Sequence, residues 1–274
     1  MQLRIEGTGD LARALAQLAA AAGHTVASDG ADLVFLCVAR GDVRAWARDV
    51  APGPADRVVV ATRGLEPGTG KRLSRVVIEE TACLRVGALA GPILAGEVLR
   101  GSPCAGVVAS RFDEVSRLGA LALRSPLCRA YTTRDLPGVE LAGGLVEVMT
   151  AALGAARGLG LGAAAQAMLV SRSAAEGARL AARQEGEART FSGLAGTGEL
   201  VASLAIPDHP GGRRGLALAR GERDDDLAEL CGALLAIEPN LPITAGVGAV
   251  AGGFLSAPDA LSALMSRDHA GEWD

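Results

Sequence analysis

The sequence predicts an α/β fold in which a shortened, doubly wound sheet precedes an all-helical domain. Two observations support this fold class. Strand and helix patterns alternate from the N-terminus to about residue 135, which is typical of a doubly wound sheet. From about Pro137 onward the chain contains long Ala- and Leu-rich helical stretches and almost no strand pattern. We therefore expect two domains, residues 1–136 and residues 137–274.

The elements of the first domain follow from their hydrophobic patterns. Residues 2–7 alternate as a half-buried strand does, and residues 32–39 form the continuous apolar run of a strand buried on both faces. The patterns predict further strands at residues 57–62, 84–89, 105–109 and 127–133, and helices at residues 10–22, 41–50 and 112–123.

The composition limits the classes of function. The formal net charge of −4 argues against a sequence-independent nucleic-acid binder, because phosphate contacts need a basic surface. We expect no membrane span, because no apolar stretch of about 18 residues runs without a charge or a glycine. The five cysteines are widely spaced and form no CxxC pair, so we expect reduced thiols in a cytoplasmic protein and no metal site.

The segment between the first strand and the first helix carries a dinucleotide fingerprint. Gly7, Gly9 and Ala12 form a GxGxxA motif, whose glycines permit a tight turn and a close approach to a pyrophosphate. We predict that Gly7, Gly9, Asp10 and Leu11 contact NAD(P). Asp10 has two interpretations: its carboxylate repels a pyrophosphate, or it faces outward as a charge at the helix N-terminus.

The part of the fold that would hold the adenosine looks shortened. Asp29 could be the acidic residue that binds the ribose, but only Gly30 and Ala31 separate it from the strand at residue 32. Parallel strands need a crossover of roughly a dozen residues. We therefore expect residues 24–30 to be a linker or a short edge segment, and NAD(P) binding to be weakened or lost.

Several blocks, in order, cover most of the chain from residue 57. They are residues 61–66 (ATRGLE), 91–97 (GPILAGE), 131–141 (YTTRDLPGVEL), 158–162 (GLGLG), 190–200 (TFSGLAGTGEL) and 241–244 (LPIT). Arg172 and Glu176 lie between the fourth and fifth blocks and belong to the same resemblance. Together they resemble the bacterial NAD(P)-dependent glycerol-3-phosphate dehydrogenases. The resemblance implies a helical second domain of the 6-phosphogluconate-dehydrogenase-like type and a hydride transfer between nicotinamide and a secondary alcohol carbon.

The resemblance also assigns roles to positions. It implies cofactor contacts at Arg63, Ala95 and Glu222. It implies substrate contacts at Arg63, Gly91, Glu199 and Arg213, where Arg63 stands in the place of a lysine and Glu199 in the place of an aspartate.

The catalytic lysine of the family is missing. Val146 occupies its position, and valine has no acid, base or charge. Glu147 replaces the following asparagine, Ala164 replaces the asparagine after the GLGLG block, and residues 209–211 (HPG) replace a substrate-binding Ser-Arg-Asn triplet. We therefore name no catalytic residue with the family's role.

Other residues could substitute for the lost groups. Lys71, the single lysine, is expected in a surface loop. Arg213 and Arg214 are expected in a solvated basic turn, with anion binding as the alternative. His209 is expected at the surface, with acid catalysis as the alternative. The run at residues 224–226 is expected to be a solvated helix N-terminus rather than a metal cluster.

These observations leave three functions. The first is a protein of this family with a degraded site, kept for binding a small molecule or a protein partner. The second is an NAD(P)-dependent oxidoreductase, acting on dihydroxyacetone phosphate or another small substrate, with rearranged catalytic residues. The third is residual activity of the family's own kind. The Ala- and Gly-rich helices could also pack across a homodimer.

Overall fold

The computed structural model describes residues 1–206 and 208–267 in two compact units. The first unit contains residues 1–67 and 71–140, and the second contains residues 68–70 and the described residues from Leu141 onward.

A twisted sheet forms the first unit, in the order β2-β1-β3-β4-β5-β6-β7. Its strands are β1 (Gln2–Glu6), β2 (Thr25–Val26), β3 (Leu33–Leu36), β4 (Val58–Val60), β5 (Val86–Ala90), β6 (Cys104–Ser110) and β7 (Cys128–Thr133). All neighbouring pairs are parallel except β5 and β6, which are antiparallel. The Rossmann-like sheet predicted from the sequence is therefore confirmed, with one reversed pair that the pattern did not predict.

Helices cover both faces of this sheet. They are α1 (Asp10–Ala21), α2 (Val43–Val50), α3 (Leu73–Glu80), α4 (Ala95–Leu99) and α5 (Asp113–Leu123), and a 3-10 turn at Arg40–Asp42 precedes α2. One apolar cluster includes Leu15 from α1 and Val115 from α5, whereas another includes Trp46 from α2 and Val76 from α3. The hydrophobic patterns missed α3 and α4, which have only eight and five residues.

The second strand is confined to the edge of the sheet. It has two residues, and it pairs with β1 only at Gln2 and Leu3. The chain then passes from Val26 to Leu33 with no helix between them. The expectation of a short edge segment without the usual crossover is therefore confirmed.

The described part of the second unit contains helices and no strands. They are α6 (Leu136–Gly158), which begins in the first unit, α7 (Ala163–Arg183), α8 (Ala188–Ser192), α9 (Glu199–Ala205), α10 (Pro210–Ala219), α11 (Asp225–Ile237), α12 (Pro242–Ala251) and α13 (Ala257–Met265). A π-helical turn at Leu194–Gly198 precedes α9. Among the described helices, α6 is long and apolar enough to cross a membrane, but 89% of its most apolar window is buried. We interpret it as a core helix.

A buried carboxylate holds the start of α12. Glu176 on α7 is 1% exposed and accepts hydrogen bonds from Ile243 N at 2.5 Å, Thr244 N at 3.3 Å and Thr244 Oγ1 at 2.6 Å. Burial raises the pKa of Glu176, because the charged form loses its hydration, while these donors partly offset that effect. Glu176 therefore provides the hydrogen-bond acceptors that the first turn of α12 lacks.

Glycines let α6 and α10 approach each other at backbone distance. A Cβ atom at Gly215 would overlap the carbonyl oxygen of Ala151 and lie 2.5 Å from Ala155 N. A Cβ atom at Gly154 would overlap the backbone of Gly212. No larger residue fits at these positions unless the two helices separate.

We predict opposite effects for two helical Gly→Ala substitutions. Gly215→Ala should lower the free energy of unfolding by about 3 kcal/mol or more, because α10 would have to move away from α6. Gly232→Ala on α11, where a Cβ atom would meet nothing within 4 Å, should raise it by about 0.5–1 kcal/mol. Urea unfolding of both variants measures the difference. Equal changes in the free energy of unfolding of the two variants would show that α6 and α10 are not in backbone contact at Gly215.

Candidate functional site

The glycine-rich loop has the geometry of an anion-binding turn. Gly7 has φ of +123°, and a Cβ atom there would lie 2.6 Å from the carbonyl oxygen of Cys37, so only glycine fits. A Cβ atom at Gly9 would meet nothing within 4 Å, and Gly9 precedes α1 without a side-chain cap. The N–H groups of the first turn of α1, including that of Leu11, are therefore accessible beside an open space.

Asp10 lies at the edge of this loop. Its side chain is 65% exposed and forms an ion pair with Arg13, which is 66% exposed. Asp10 therefore faces outward, as one of the two interpretations predicted. Its carboxylate nevertheless stays within the first turn of α1, beside the N–H groups that would face a pyrophosphate.

A second group of predicted residues meets at the carboxyl ends of β4 and β5. The guanidinium of Arg63 donates to the carbonyl oxygen of Gly91 at 3.4 Å, and Gly91 has φ of +106°. Ala95 begins α4 four residues later. The structure thus brings Arg63 and Gly91 together at an edge of the sheet where ligands of open α/β folds bind.

Val146 lies in the middle of α6 and is 2% exposed. One turn later, Thr150 is equally buried and donates its hydroxyl to the carbonyl oxygen of Glu147. A Cβ atom at Gly211 would overlap the hydroxyl of Thr150. The hydroxyl of Thr150 thus occupies the space into which any side chain at position 211 would project. The sequence did not predict this contact between Thr150 and Gly211.

Arg214 is the centre of an ion-pair network that connects α6, α10 and the start of α11. Its guanidinium donates two hydrogen bonds to Asp224, at 2.6 and 2.8 Å, and one to Asp226 at 3.0 Å, and it lies 3.8 Å from Glu147. The bond to Asp224 raises the pKa of Arg214 above its usual range. Asp224 also caps α11 by accepting from Leu227 N at 3.0 Å.

This network corrects one expectation and fits another. Arg213 and Arg214 lie in a helix, not in a solvated turn, because Pro210 starts α10 before them. Asp224, Asp226 and the 84%-exposed Asp225 stand at the N-terminus of α11, as expected, but Asp224 is only 21% exposed and is bound to Arg214 rather than solvated. Within the described residues, no three His, Cys, Asp or Glu side chains converge on a common point that could hold a metal ion.

His209 and Glu199 are buried titratable residues of the second unit. His209 is 7% exposed and precedes α10, so the expectation of a surface histidine is wrong. Its place beside the buried Gly211 and Gly212 keeps its ring from solvent. Glu199 is fully buried at the first position of α9. A run of glycines after a histidine was the sequence signal for this burial, because glycines allow close helix packing.

Two other predicted residues face solvent. Glu222 forms an ion pair with Arg220 at 2.8 Å, and its side chain is 57% exposed. Lys71 is 43% exposed and pairs with Glu79 at 2.7 Å, so it lies at the surface as expected.

Comparison with known proteins decides the family. Residues 13–116 match the N-terminus of NAD-dependent glycerol-3-phosphate dehydrogenase, and residues 135–238 match its C-terminus. A glycerol-3-phosphate dehydrogenase (NAD(P)+) of Sinorhizobium fredii is 37% identical over 95% of this chain and 84% of its own length. The chain belongs to the NAD-dependent glycerol-3-phosphate dehydrogenase family. The enzyme of that name from Corynebacterium glutamicum is 34% identical over 90% of this chain and 80% of its own.

A solved structure supports the fold of this family member. The glycerol-3-phosphate dehydrogenase of Coxiella burnetii superimposes with a TM-score of 0.88 and 24% identity, covering 97% of this chain and 99% of that one. The Rossmann-like sheet followed by a helical domain is thus the family's fold.

The residues of this family member fit an NAD(P) cofactor in part. The constrained Gly7, the open space at Gly9 and the uncapped α1 fit a pyrophosphate. The two-residue β2 does not extend far enough to present a ribose-binding acid, and Asp29 follows it in an exposed bend, bonded to Ser28. The fit therefore extends to the pyrophosphate but not to the adenosine.

We predict that the network around Arg214 stabilises the helical unit. Arg214→Ala should lower the free energy of unfolding by about 2 kcal/mol, because it leaves the carboxylate of Asp224 without its two charged donors. Arg213→Ala, in the same helix, removes a 57%-exposed side chain that pairs with Asp208. This substitution should change the free energy of unfolding by less than about 0.5 kcal/mol. Denaturant unfolding compares the two. If the two losses were equal, the network would contribute nothing specific.

Proposed function

We propose that this family member does not carry out the glycerol-3-phosphate dehydrogenase reaction at a normal rate and is kept for binding a small molecule or a protein partner. One observation carries the proposal. Val146, which matches the catalytic lysine of the family in the GVEL block, is a buried aliphatic side chain. A carbonyl that accepts hydride develops negative charge on its oxygen, and valine supplies neither a proton nor a charge to stabilise it.

The packing around Val146 supports the same proposal. The position of the substrate-binding asparagine is Gly211, and the hydroxyl of Thr150 takes up the space beside it. Glu147, which replaces a second asparagine, takes part in the ion-pair network of Arg214. These positions now contribute to helix packing rather than to a polar pocket.

NAD(P) binding is proposed to be weakened or lost. If the cofactor binds, Gly7, Gly9 and Leu11 would hold its pyrophosphate, and it would supply the hydride. The negative charge of Asp10 lowers the affinity for NAD(P). The short β2 lowers it further, because the contact with the ribose is missing. The roles of Arg63, Ala95, Gly91, Glu199, Arg213 and Glu222 in binding remain proposals carried over from the family.

The alternative is an NAD(P)-dependent oxidoreductase with rearranged catalytic residues. The observation that favours it is the burial of His209 and Glu199, two groups able to hold or move a proton, in the helical unit. A cytoplasmic location and a homodimer also remain proposals. The free thiols of all five cysteines fit a reducing compartment.

We predict that the wild type oxidises NADPH with dihydroxyacetone phosphate at least about 10²–10⁴-fold more slowly than the Corynebacterium glutamicum relative assayed beside it. Val146→Lys alone should restore little, because position 211 stays blocked. Val146→Lys combined with Thr150→Gly and Gly211→Asn should recover more, because a Cβ atom at position 211 would meet both the hydroxyl and the Cβ atom of Thr150. Wild-type turnover at ordinary dehydrogenase rates, about 10 s⁻¹, would show the proposal to be wrong. The wild-type assay decides this even if the variants fail to fold.

We predict that NADH and NADPH bind the wild type with Kd above about 1 mM, measured by titration calorimetry. Asp10→Asn should tighten binding about threefold or more, because it removes a negative charge from the first turn of α1. Asp113→Asn, which removes a half-exposed charge from the first turn of α5, is the matched control and should leave Kd unchanged. Submillimolar binding to the wild type would contradict the loss of the adenosine contacts and favour the oxidoreductase.

A further inference from the structure

Two cysteines begin neighbouring strands of the sheet. Cys104 is the first residue of β6 and Cys128 the first of β7, and the two are partners in the parallel register. Neighbouring strands lie about 4.8 Å apart. That spacing falls within the Cα separation of about 4.4–6.8 Å that a disulfide bond spans. In-register residues also project from the same face of a sheet, so the two thiols point the same way.

The two thiols differ in exposure and acidity. Cys128 is 3% exposed, whereas Cys104 is partly exposed at the end of its strand. The hydrogen bond between them lowers the pKa of Cys104 and raises the pKa of Cys128. Cys104 is therefore the more exposed and the more acidic of the two thiols. A partly exposed, more acidic thiol next to a buried, less acidic one is the arrangement of an attacking and a resolving cysteine.

Other thiols of the first unit lack this arrangement. Burial raises the pKa of Cys37 to about 12. Burial also raises the pKa of Cys83, whose thiol donates to the carbonyl oxygen of Asp56 at 3.3 Å. The raised pKa values of Cys37 and Cys83 favour the protonated, unreactive thiol. Oxidation should therefore begin at Cys104.

We propose that Cys104 and Cys128 form an oxidisable dithiol that closes to a disulfide bond when the protein meets a peroxide. The thiolate of Cys104 attacks one peroxide oxygen, the O–O bond breaks, and Cys104 becomes a sulfenic acid while the other oxygen leaves and is protonated to water. The thiol of Cys128 then attacks the sulfenic sulfur, and the S–O bond breaks. Its proton and the departing hydroxide form a second water, so two thiols are oxidised and one hydrogen peroxide is reduced.

The fold favours closure of the bond. The amide of Cys104 already donates to the carbonyl oxygen of Leu127 at 2.8 Å, so the backbone segments are joined before oxidation. The disulfide would enclose α5 in a covalent loop and fix β7, the edge strand, to β6. It would thereby restrict the unfolded chain and stabilise this end of the sheet.

The test treats the purified full chain with hydrogen peroxide, blocks the remaining thiols with an alkylating agent and measures mass. The wild type should lose two of its five thiols and two hydrogen masses, without added oxygen, and digestion should yield a peptide linking Cys104 to Cys128. The oxidised protein should melt several degrees higher than the reduced one, and dithiothreitol should reverse the shift.

Variants and controls separate this pair from general oxidation. Cys37→Ser should behave as the wild type. Cys128→Ser should stop at a sulfenic acid on Cys104 that dimedone traps, and Cys104→Ser should lose no thiol under the same treatment. Addition of oxygen to wild-type Cys104 without a linked peptide would overturn the proposal, as would a disulfide that involves Cys37. The wild-type measurement is decisive even if a variant fails to fold, and it does not depend on NAD(P) binding or turnover.

Discussion

The helical unit depends on one constraint, the backbone-distance contact between α6 and α10. Gly154 and Gly215 permit it, and a side chain at either position would overlap main-chain atoms of the other helix. This contact determines what can surround Val146, because Thr150 and Gly211 meet at the same crossing. The close packing leaves no room for a side chain at position 211 while Thr150 stands opposite it. The contact that joins the two helices therefore also limits which side chains the crossing can hold.

The ion pairs of Arg214 extend this constraint to a third helix. Arg214 lies on α10 and donates to Asp224, the residue that caps α11. A half-buried bidentate ion pair of this kind contributes more to stability than the exposed ion pairs elsewhere on the chain. Glu147 joins it from α6. The ion-pair network of Arg214 therefore connects α6, α10 and the start of α11.

The sequence predicted the sheet and the helical domain because both have clear hydrophobic periods, and it predicted the short edge segment because too few residues separate Asp29 from β3. It failed for α4, whose five residues are too few to show a helical period, and for α3, although α2 has the same length and was predicted. It also failed for His209, whose burial depends on how closely glycines let two distant helices pack. The position of Val146 could be predicted from the motif, but the role of Thr150 could not, because its contact with Gly211 is made across the fold.

The shortness of β2 has a consequence for how the protein behaves among its own copies. Because β2 pairs only with Gln2 and Leu3, no strand of the described residues pairs with the outer backbone of β1 from Arg4 to Glu6. An uncovered strand edge of this kind invites another chain to add a strand. Arg4 and Glu6 form an ion pair along this edge, and paired charges must lose their water before a neighbouring strand can dock. The shortness of β2 therefore leaves part of β1 open to pairing with another copy, and two charged side chains oppose that pairing.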